Sequence, residues 1–581
     1  MKRNLLLLLA LFFQFVSHSQ TFIRHVTIVD VVRQKLIPGQ TVTLTNGLIS
    51  GIQPANKVRI PPNAEVINGE GKFLIPGMTD AHVHFFQSGG LYARPDVIDL
   101  RKFRPFEKEL ISSHNSMEDF LRRYVQNGIT SVIDVGATNS FLNQRDTFRL
   151  KYFAPGIFMT GPLLTSYQPA NLKDLGHDEP FSLVATPEEG RKSTKAQLPL
   201  RPDFIKVWYI VNETNKDSLE ASAKRFQPVL KAIIDEAHSN NLRVAVHATQ
   251  QLAAKLAVES GCDYLVHGVE NEIVSDEFIK LLKERNVILS PTLIVAGRYY
   301  KTFAQTMDYT SAELMKSNPQ QVGSVEDLKH LPDTVLIKAY KNSIRSERFT
   351  RKWRQDDSIR MTNLKRLADG GVIIAAGTDA GNIGTQHATS FYEELLAMKR
   401  SGLSNWQIIQ SATINPTRIL NLQDSLGSIT VGKKADLVLL NANPVDDIRN
   451  ISQIDLVVNK GHVIKPDTLI APSPETLVQQ QLNAYNARNI DAFLEPYADD
   501  VELYTFPNKL LGKGKEIMRS QYGNMFTNLP NLHCEVKSRI VKGNIVIDHE
   551  SVAGFGGPGN VEAIAVYEIK NGKISKVFFM E

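Results

Sequence analysis

Between residues 73 and 379 the chain repeats one pattern: a short apolar, β-branched-rich run followed by a stretch of helical period. Eight such runs occur, at 73–84, 130–136, 157–161, 203–209, 242–247, 263–267, 287–293 and 372–379. A strand-then-helix unit that recurs brings each strand back parallel to the one before it. Eight units within about 350 residues predict an α/β architecture, a distorted (β/α)8 TIM barrel carrying insertions. Barrels of this kind collect their chemistry at the C-terminal ends of the strands.

The chemically capable residues fall at those ends. His82 and His84 close the first run, His247 the fifth, His267 the sixth and Asp379 the eighth, while Lys206 lies inside the fourth. On an extended strand His82 and His84 face the same way, about 6.6 Å apart along the chain. Two imidazoles so placed can share a metal ion. Each of these residues alone reads as an ordinary core or loop side chain, and their joint placement is what predicts a metal centre. An ammonium beside divalent cations is disfavoured by repulsion and desolvation. A Lys206 that loses its proton and takes up carbon dioxide becomes an anionic carbamate able to bridge two metals. The alternative is a Lys206 paired with a carboxylate, away from any metal. Asp80 is expected to stabilise the end of the first strand.

Three further residues are substrate-binding candidates. Tyr209, three positions after Lys206, either meets a substrate carboxylate or packs, and Arg298 has a similar claim. His387 either contacts substrate or caps the helix expected from Ser390 to Arg400.

The flanks divide the chain. Residues 20–72 and 425–470 are short β-like runs and read as one composite β-sandwich domain, with the barrel, 73–424, inserted between them. Three connections, 85–116, 162–200 and 294–371, are too long for plain loops and read as lids, specificity elements or subunit contacts. Residues 473–581 change character: helices at 474–488 and from Ile490, a strand at 501–506, a helix at 515–526, then four β-like runs to the end. That order describes an α+β cone, in which Tyr504, His533, Asp548 and His549 are pocket candidates and only one of Asp548 and His549 faces inward.

Residues 1–19, with a basic start, an apolar run from Leu5 to Phe13 and Ser17 and Ser19 before Gln20, read as a cleaved secretory signal peptide. A periplasmic or secreted protein without a membrane span follows. The net charge of +5 includes Lys2 and Arg3 of that leader, and no long basic run gives nucleic-acid binding support. Cys262 and Cys534 alone exclude a disulfide framework and make cysteine-ligated zinc improbable.

The sequences Ile75-Pro-Gly-Met-Thr-Asp-Ala-His-Val-His, Phe204-Ile-Lys, Val246-His-Ala, Val266-His-Gly and Gly377-Thr-Asp-Ala-Gly resemble the amidohydrolase superfamily, as do Ser411-Ala-Thr-Ile-Asn-Pro-Thr and Gly432-Lys-Lys-Ala-Asp-Leu-Val. The similarity is to the imidazolonepropionase-related branch that includes prolidase-like and arginine-carboxypeptidase-like enzymes. The resemblance implies that His82, His84 and Asp379 hold one divalent metal, His247 and His267 a second, and carbamylated Lys206 joins them. It implies hydrolysis of an amide or peptide-like C–N bond in a small molecule, a dipeptide or N-acyl amino acid, by a metal-bridged hydroxide, with Asp379 moving the proton. His and carboxylate ligands suit Zn²⁺, with Mn²⁺, Co²⁺ or Fe²⁺ as alternatives. The rival readings are a cyclic amidase, lactonase or deaminase on the same site, or a binding protein without turnover. Residues 474–581, through Ala484-Tyr-Asn-Ala-Arg-Asn-Ile-Asp-Ala-Phe and Tyr497-Ala-Asp-Asp-Val-Glu-Leu, resemble the SnoaL-like branch of the NTF2-like fold, implying an accessory ligand-binding domain or one that assembles a homo-oligomer.

Overall fold

A computed structural model describes residues 20–173, 178–211, 216–332, 334–557 and 559–580, excluding the side chains of 216–218. The leader lies outside the described residues. Among these residues no helix is long and apolar enough to cross a membrane.

All eight predicted runs contain a strand, and within each of two sheets these strands run parallel. Met78–Val83, Ile129–Asp134 and Gly156–Met159 form one sheet. Ile205–Trp208, Val244–His247, Tyr264–Val266, Ile288–Ser290 and Ile373–Ile374 run side by side in a second. Backbone bonds cross from the last strand to the first: Ala81 N donates to Ala376 O at 2.9 Å and Asp379 N to His82 O at 2.8 Å. At the other seam the third run is broken at Pro162, which has no N–H to give a ladder. Its continuation, Leu163–Thr165, pairs with Ile205–Trp208 instead, and Phe181–Leu183 pairs beside it. These two strands lie in a stretch expected to be loop; the short Leu163-Leu164 segment supplies the apolar pairing surface.

Side chains along these strands alternate between two cores. Phe204, Ala245, Tyr264, Val266 and Ile288 share a small inner cluster, while Ile205, Val207, Val244, Val246, Leu265 and Leu289 join the large core beneath the helices. Burial on both faces explains why the runs are continuously apolar. Lys206 and His247 follow the parity of Phe204 and Ala245 and therefore extend the inner face upward.

The chain's early and late β-segments join one eight-stranded sheet, in which Phe73–Pro76 pairs with Thr21–Asp30 on one side and Leu437–Leu440 on the other. Leu74, Leu437 and Leu439 point into this sheet's own core, and Ile75, Val438 and Leu440 into the core of the central domain. Alternation thus joins the two layers without a linker.

The C-terminal unit contains helices Pro474–Asn486, Ile490–Leu494 and Lys515–Asn528 and a six-stranded sheet. Strand Lys509–Lys513 was not expected; it pairs antiparallel with the strand Tyr497–Thr505. Asp548 is fully buried and His549 exposed, as alternation requires, but Asp548 meets Arg539 in a two-pronged ion pair with bonds of 2.7 Å. Tyr504 and His549 are likewise engaged, with Glu502 and Glu562.

The connection 294–371 is helical: Val295–Ala304, Ser311–Lys316, Pro319–Glu326, Val335–Ile344 and Glu347–Asp369. Its Tyr309, Leu314 and Val322 share a core with Leu477, Val478 and Leu482 of the C-terminal unit. Asn483 Nδ2 donates to Pro319 O at 2.7 Å and Gln480 Nε2 to Met315 O at 3.0 Å across the same junction. The insertion also packs Phe303, Ile337 and Ile344 against Leu91, Ile98 and Leu100 of the first long connection.

Candidate active site

At the C-terminal ends of the central strands lies a cavity of about 600 Å³ whose wall includes His82, His84, Lys206, His247, His267 and Asp379. The six predicted ligands, distant in sequence, are therefore gathered. His82 Nε2 and His84 Nε2 are 3.2 Å apart, and each lies 3.1 Å from Asp379 Oδ1. The His267 ring centroid is 4.9 Å from that of His82 and 4.4 Å from that of His247.

The local backbone is built for this convergence. His267 and Asp379 adopt φ of 74° and 61°, a left-handed region that non-glycine residues enter at a cost and that recurs at functional sites. Asp80 accepts hydrogen bonds from the backbone and hydroxyl of Thr378, at 3.1 and 2.7 Å, which pins the turn that carries Asp379. Asp134 accepts from Phe85 N at 2.9 Å and Gly136 N at 3.0 Å, and Gly136 O faces His84 Nδ1 at 3.0 Å. Burial pushes both Asp80 and Asp134 up to about 7. Gly377 is required by close approach: a Cβ there would meet the Ser290 hydroxyl and lie 2.7 Å from His82 Cβ.

The donor chemistry fits a divalent cation. A carbonyl only accepts, so His84 donates from Nδ1 and its Nε2 presents a lone pair. That lone pair, His82 Nε2 and Asp379 Oδ1 crowd together, and the buried Oδ1 receives no hydrogen bond. Lone pairs so close repel unless a cation lies among them, and a carbonyl holding the far nitrogen is the usual support of a metal-ligating histidine. Burial, against the attraction of Asp379, lowers His82 well below the ordinary imidazole value, which suits a neutral ligand. Asp379 is held well below the usual carboxylate range: burial would raise it, but His82, His84 and His267 outweigh that.

Lys206 is 1% exposed, and among the described residues no carboxylate lies within 4.0 Å of its ammonium. Burial pushes it down to about 7, against the pull of Asp379 and Asp134. The ion-paired alternative for Lys206 therefore lacks its partner.

Tyr209, Arg298 and His387 do not line the cavity. Tyr209 is buried beside Phe226 and donates its hydroxyl to Ala223 O at 2.6 Å, because its position, odd relative to Lys206, faces the helices. Arg298 is clamped between Glu313 and Glu393 beneath the insertion. His387 donates from Nε2 to Gln87 O at 2.9 Å and accepts at Nδ1 from Tyr124 at 3.0 Å, between the rings of Phe85 and Phe120. Its two nitrogens are spent on holding the turn after His84, so it neither reaches the cavity nor caps the helix.

The residues that do complete the wall come from the long connections. Tyr299, Tyr300 and Phe303 project from one insertion helix, Tyr340 and Ile344 from another, and Trp353 stacks on Tyr300 at 4.9 Å. Arg94 enters from the first connection, gripping Asp96 through two bonds of 2.8 and 2.6 Å and reaching Tyr299 and Asn382. The spacing of Tyr299, Tyr300 and Phe303 on one helix was a signal; nothing local marked Arg94.

Comparison with known proteins extends the geometry. The profile of the Amidohydrolase family matches residues 73–464 and that of the SnoaL-like domain residues 478–577. Ochratoxinase of Aspergillus niger is 23% identical over 397 residues, covering 65% of this chain and 72% of that protein. Imidazolonepropionase of Geobacillus sp. (strain WCH70) is 30% identical over 438 residues, 69% of this chain and 83% of that one. A crystal structure of a Xaa-Pro dipeptidase with methionine bound in its active site superposes with a TM-score of 0.58 at 22% identity, over 77% of this chain and all of that one, a likeness of fold. A chain matched over these lengths belongs to the amidohydrolase family of hydrolases acting on C–N bonds, with a SnoaL-like domain at its C-terminal end.

Proposed function

We propose that this protein is a metal-dependent amidohydrolase that cleaves the amide bond of a dipeptide or N-acyl amino acid bearing a large apolar group. The observation that carries this reading is the shared cavity: the His82–His84–Asp379 cluster, with Lys206, His247 and His267 beside it, faces a wall of Tyr299, Tyr300, Phe303, Tyr340 and Trp353. The relatives named ochratoxinase and Xaa-Pro dipeptidase support an amide substrate. The strand order, with backbone bonds at both seams, supports a distorted (β/α)8 barrel with a composite β-sandwich, bounded as the sequence suggests. The leader sequence supports action in the periplasm or outside the cell.

Two divalent ions, most simply Zn²⁺, would be held by His82, His84 and Asp379 and by His247 and His267, with carbamylated Lys206 between, and would supply an ionised water at neutral pH and polarise the scissile carbonyl. The protein's own residues do the remainder. The buried, ionised Asp379 carboxylate accepts the proton from the nucleophile and returns it to the leaving nitrogen. Asp134, through the Gly136 carbonyl, keeps His84 in the tautomer that presents Nε2. The aromatic wall orients the apolar group and excludes water from the reacting carbonyl. Arg94 and Arg360 are the cavity's guanidinium groups, and a substrate carboxylate would have to share Arg94 with Asp96 and Arg360 with Glu270 and Asp357.

The test is metal content per chain after purification without chelator, for wild type and Lys206→Ala, with turnover of N-acyl amino acids and dipeptides measured in parallel. The expected result is about two ions in the wild type and one or none in the variant. Equal metal content in both proteins would overturn the bridge, and turnover of cyclic amides alone would overturn the substrate class.

A further inference from the structure

The insertion and the SnoaL-like domain share a core on one side and part on the other, leaving a cleft of about 660 Å³ that shares no lining residue with the active-site cavity. Gln305, Lys329, His330 and Arg345 line it from the insertion; Arg488, His533 and Lys537 line it from the C-terminal domain. Four permanent cations thus face one lining carboxylate, Glu535. Lys329 is paired with Glu326 at 2.5 Å and Lys537 with Glu535 at 2.6 Å. The two arginines are not so neutralised. Among the described residues Arg345 reaches Ala304 O and Gln305 Oε1, both at 3.5 Å, and Arg488 reaches Asn486 O at 3.4 Å and Leu532 O at 3.2 Å. Among the described residues neither guanidinium has a carboxylate within 4.0 Å.

Between these forks the two walls touch through histidines. His330 Nδ1 lies 3.2 Å from His533 Nε2, the rings are stacked at 5.5 Å, and His533 Nδ1 is buried without a partner. Burial, with the neighbouring Lys329, His330 and Arg488, pushes His533 down to about 3. The helix C-termini at Ala304 and Asn486 would repel an anion, and the arginines already cover those carbonyls.

We propose that this cleft is a binding site for a small multivalent oxyanion, a phosphate or phosphate monoester, held between Arg345 and Arg488. Planar forks on opposite walls match the oxygen edges of a tetrahedral dianion better than a single carboxylate does. The volume exceeds that of phosphate alone and leaves space for an organic substituent. The site does not depend on the amidohydrolase reading. It does adjoin it: Gln305 and Arg345 are the C-caps of the helices whose Tyr299, Tyr300, Phe303, Tyr340 and Ile344 wall the active-site cavity, so an anion bridging the two domains would tether both helices.

The experiment is calorimetric titration of inorganic phosphate into the metal-stripped full-length protein at low ionic strength, which removes binding by active-site metals. One saturable site per chain is expected. Arg345→Gln with Arg488→Gln should weaken it by about tenfold or more and Lys537→Gln by a smaller factor, whereas Arg201→Gln, a distant exposed arginine, should leave it unchanged. Should the double variant misfold, Arg345→Gln alone, an exposed position, gives the same comparison. Glycerol phosphate binding more tightly than phosphate supports the monoester. No saturable phosphate binding, affinity unchanged in the Arg345 variants, or citrate binding without phosphate binding overturns the proposal.

Discussion

Arg298→Met separates structural from substrate-binding roles for a buried cation. The Arg298 side chain is 3% exposed and contacts Glu313 and Glu393, themselves 11% and 23% exposed. Glu313 also closes the capping box of its own helix by accepting from Thr310 N at 2.9 Å, and Glu393 belongs to the helix Ser390–Arg400. The guanidinium therefore ties three helices together. Methionine replaces the aliphatic stem, leaves the buried Glu313 without its counter-ion and leaves Glu393 with Lys301 alone, at 3.9 Å, a loss of about 3–5 kcal/mol. Set against about 5–15 kcal/mol for a typical domain, that is a large fraction. At a slope of about 3 kcal/mol per molar urea the midpoint falls by about 1–2 M. Trp208, Trp353 and Trp406 all lie in the central domain, so tryptophan fluorescence, excited selectively, reports that domain alone. Adding Glu313→Gln and Glu393→Gln to Arg298→Met should recover most of the loss, because the unpaired charges are the cause. An unchanged midpoint accompanied by a raised KM for N-acyl amino acids would refute the reasoning and return Arg298 to the substrate.

Glu550 accepts from Tyr567 at 2.9 Å, and burial pushes it up to about 7 from an ordinary 4.5. Its contribution is full below about pH 4.5 and is lost as pH rises through about 7, so Glu550→Gln should be more stable than wild type at pH 8, by up to about 3 kcal/mol, and similar at pH 4.5; the pH dependence of thermal unfolding checks this. Gly377→Ala should cost about 1–3 kcal/mol through overpacking and lower metal content by displacing His82, measured by urea unfolding and metal analysis. Tyr209→Phe deletes one buried hydrogen bond and should cost about 1 kcal/mol in unfolding while leaving KM unchanged.

The parts legible in the sequence were those with a local signature. Strand runs separated by helical stretches predicted where eight parallel strands lie, and strand-end histidines predicted which residues the cavity gathers. Helix-then-strand order anticipated most elements of the C-terminal domain, and period-two alternation chose Asp548 over His549. What escaped depended on contacts between distant segments. Arg94 becomes a cavity residue only because the first long connection folds under the insertion. Tyr209 and Arg298 look like substrate ligands until the helices that bury them are known. Asp548 has the inward parity of a pocket residue, but Arg539 consumes it; the buried carboxyl on the cone's cavity is Glu550, two residues further along the same face. Pro162 was the one readable hint that the third run would split, since a strand there loses a donor.

The eight-stranded sheet has a consequence for synthesis. Phe73–Pro76 emerges early, pairs with Thr21–Asp30, and then presents an open edge to the solvent. The strand that covers that edge, Leu437–Leu440, follows about 360 residues later, which at about 5–20 residues per second is a wait of about 20–70 s. Until then Ile75 and the neighbouring apolar face lack their cover, and an uncovered strand edge is a template for pairing with other chains. A nascent chain released before Leu437 lacks the strand that seals the sheet to the central domain, so incomplete products carry an exposed edge by which quality control can recognise them.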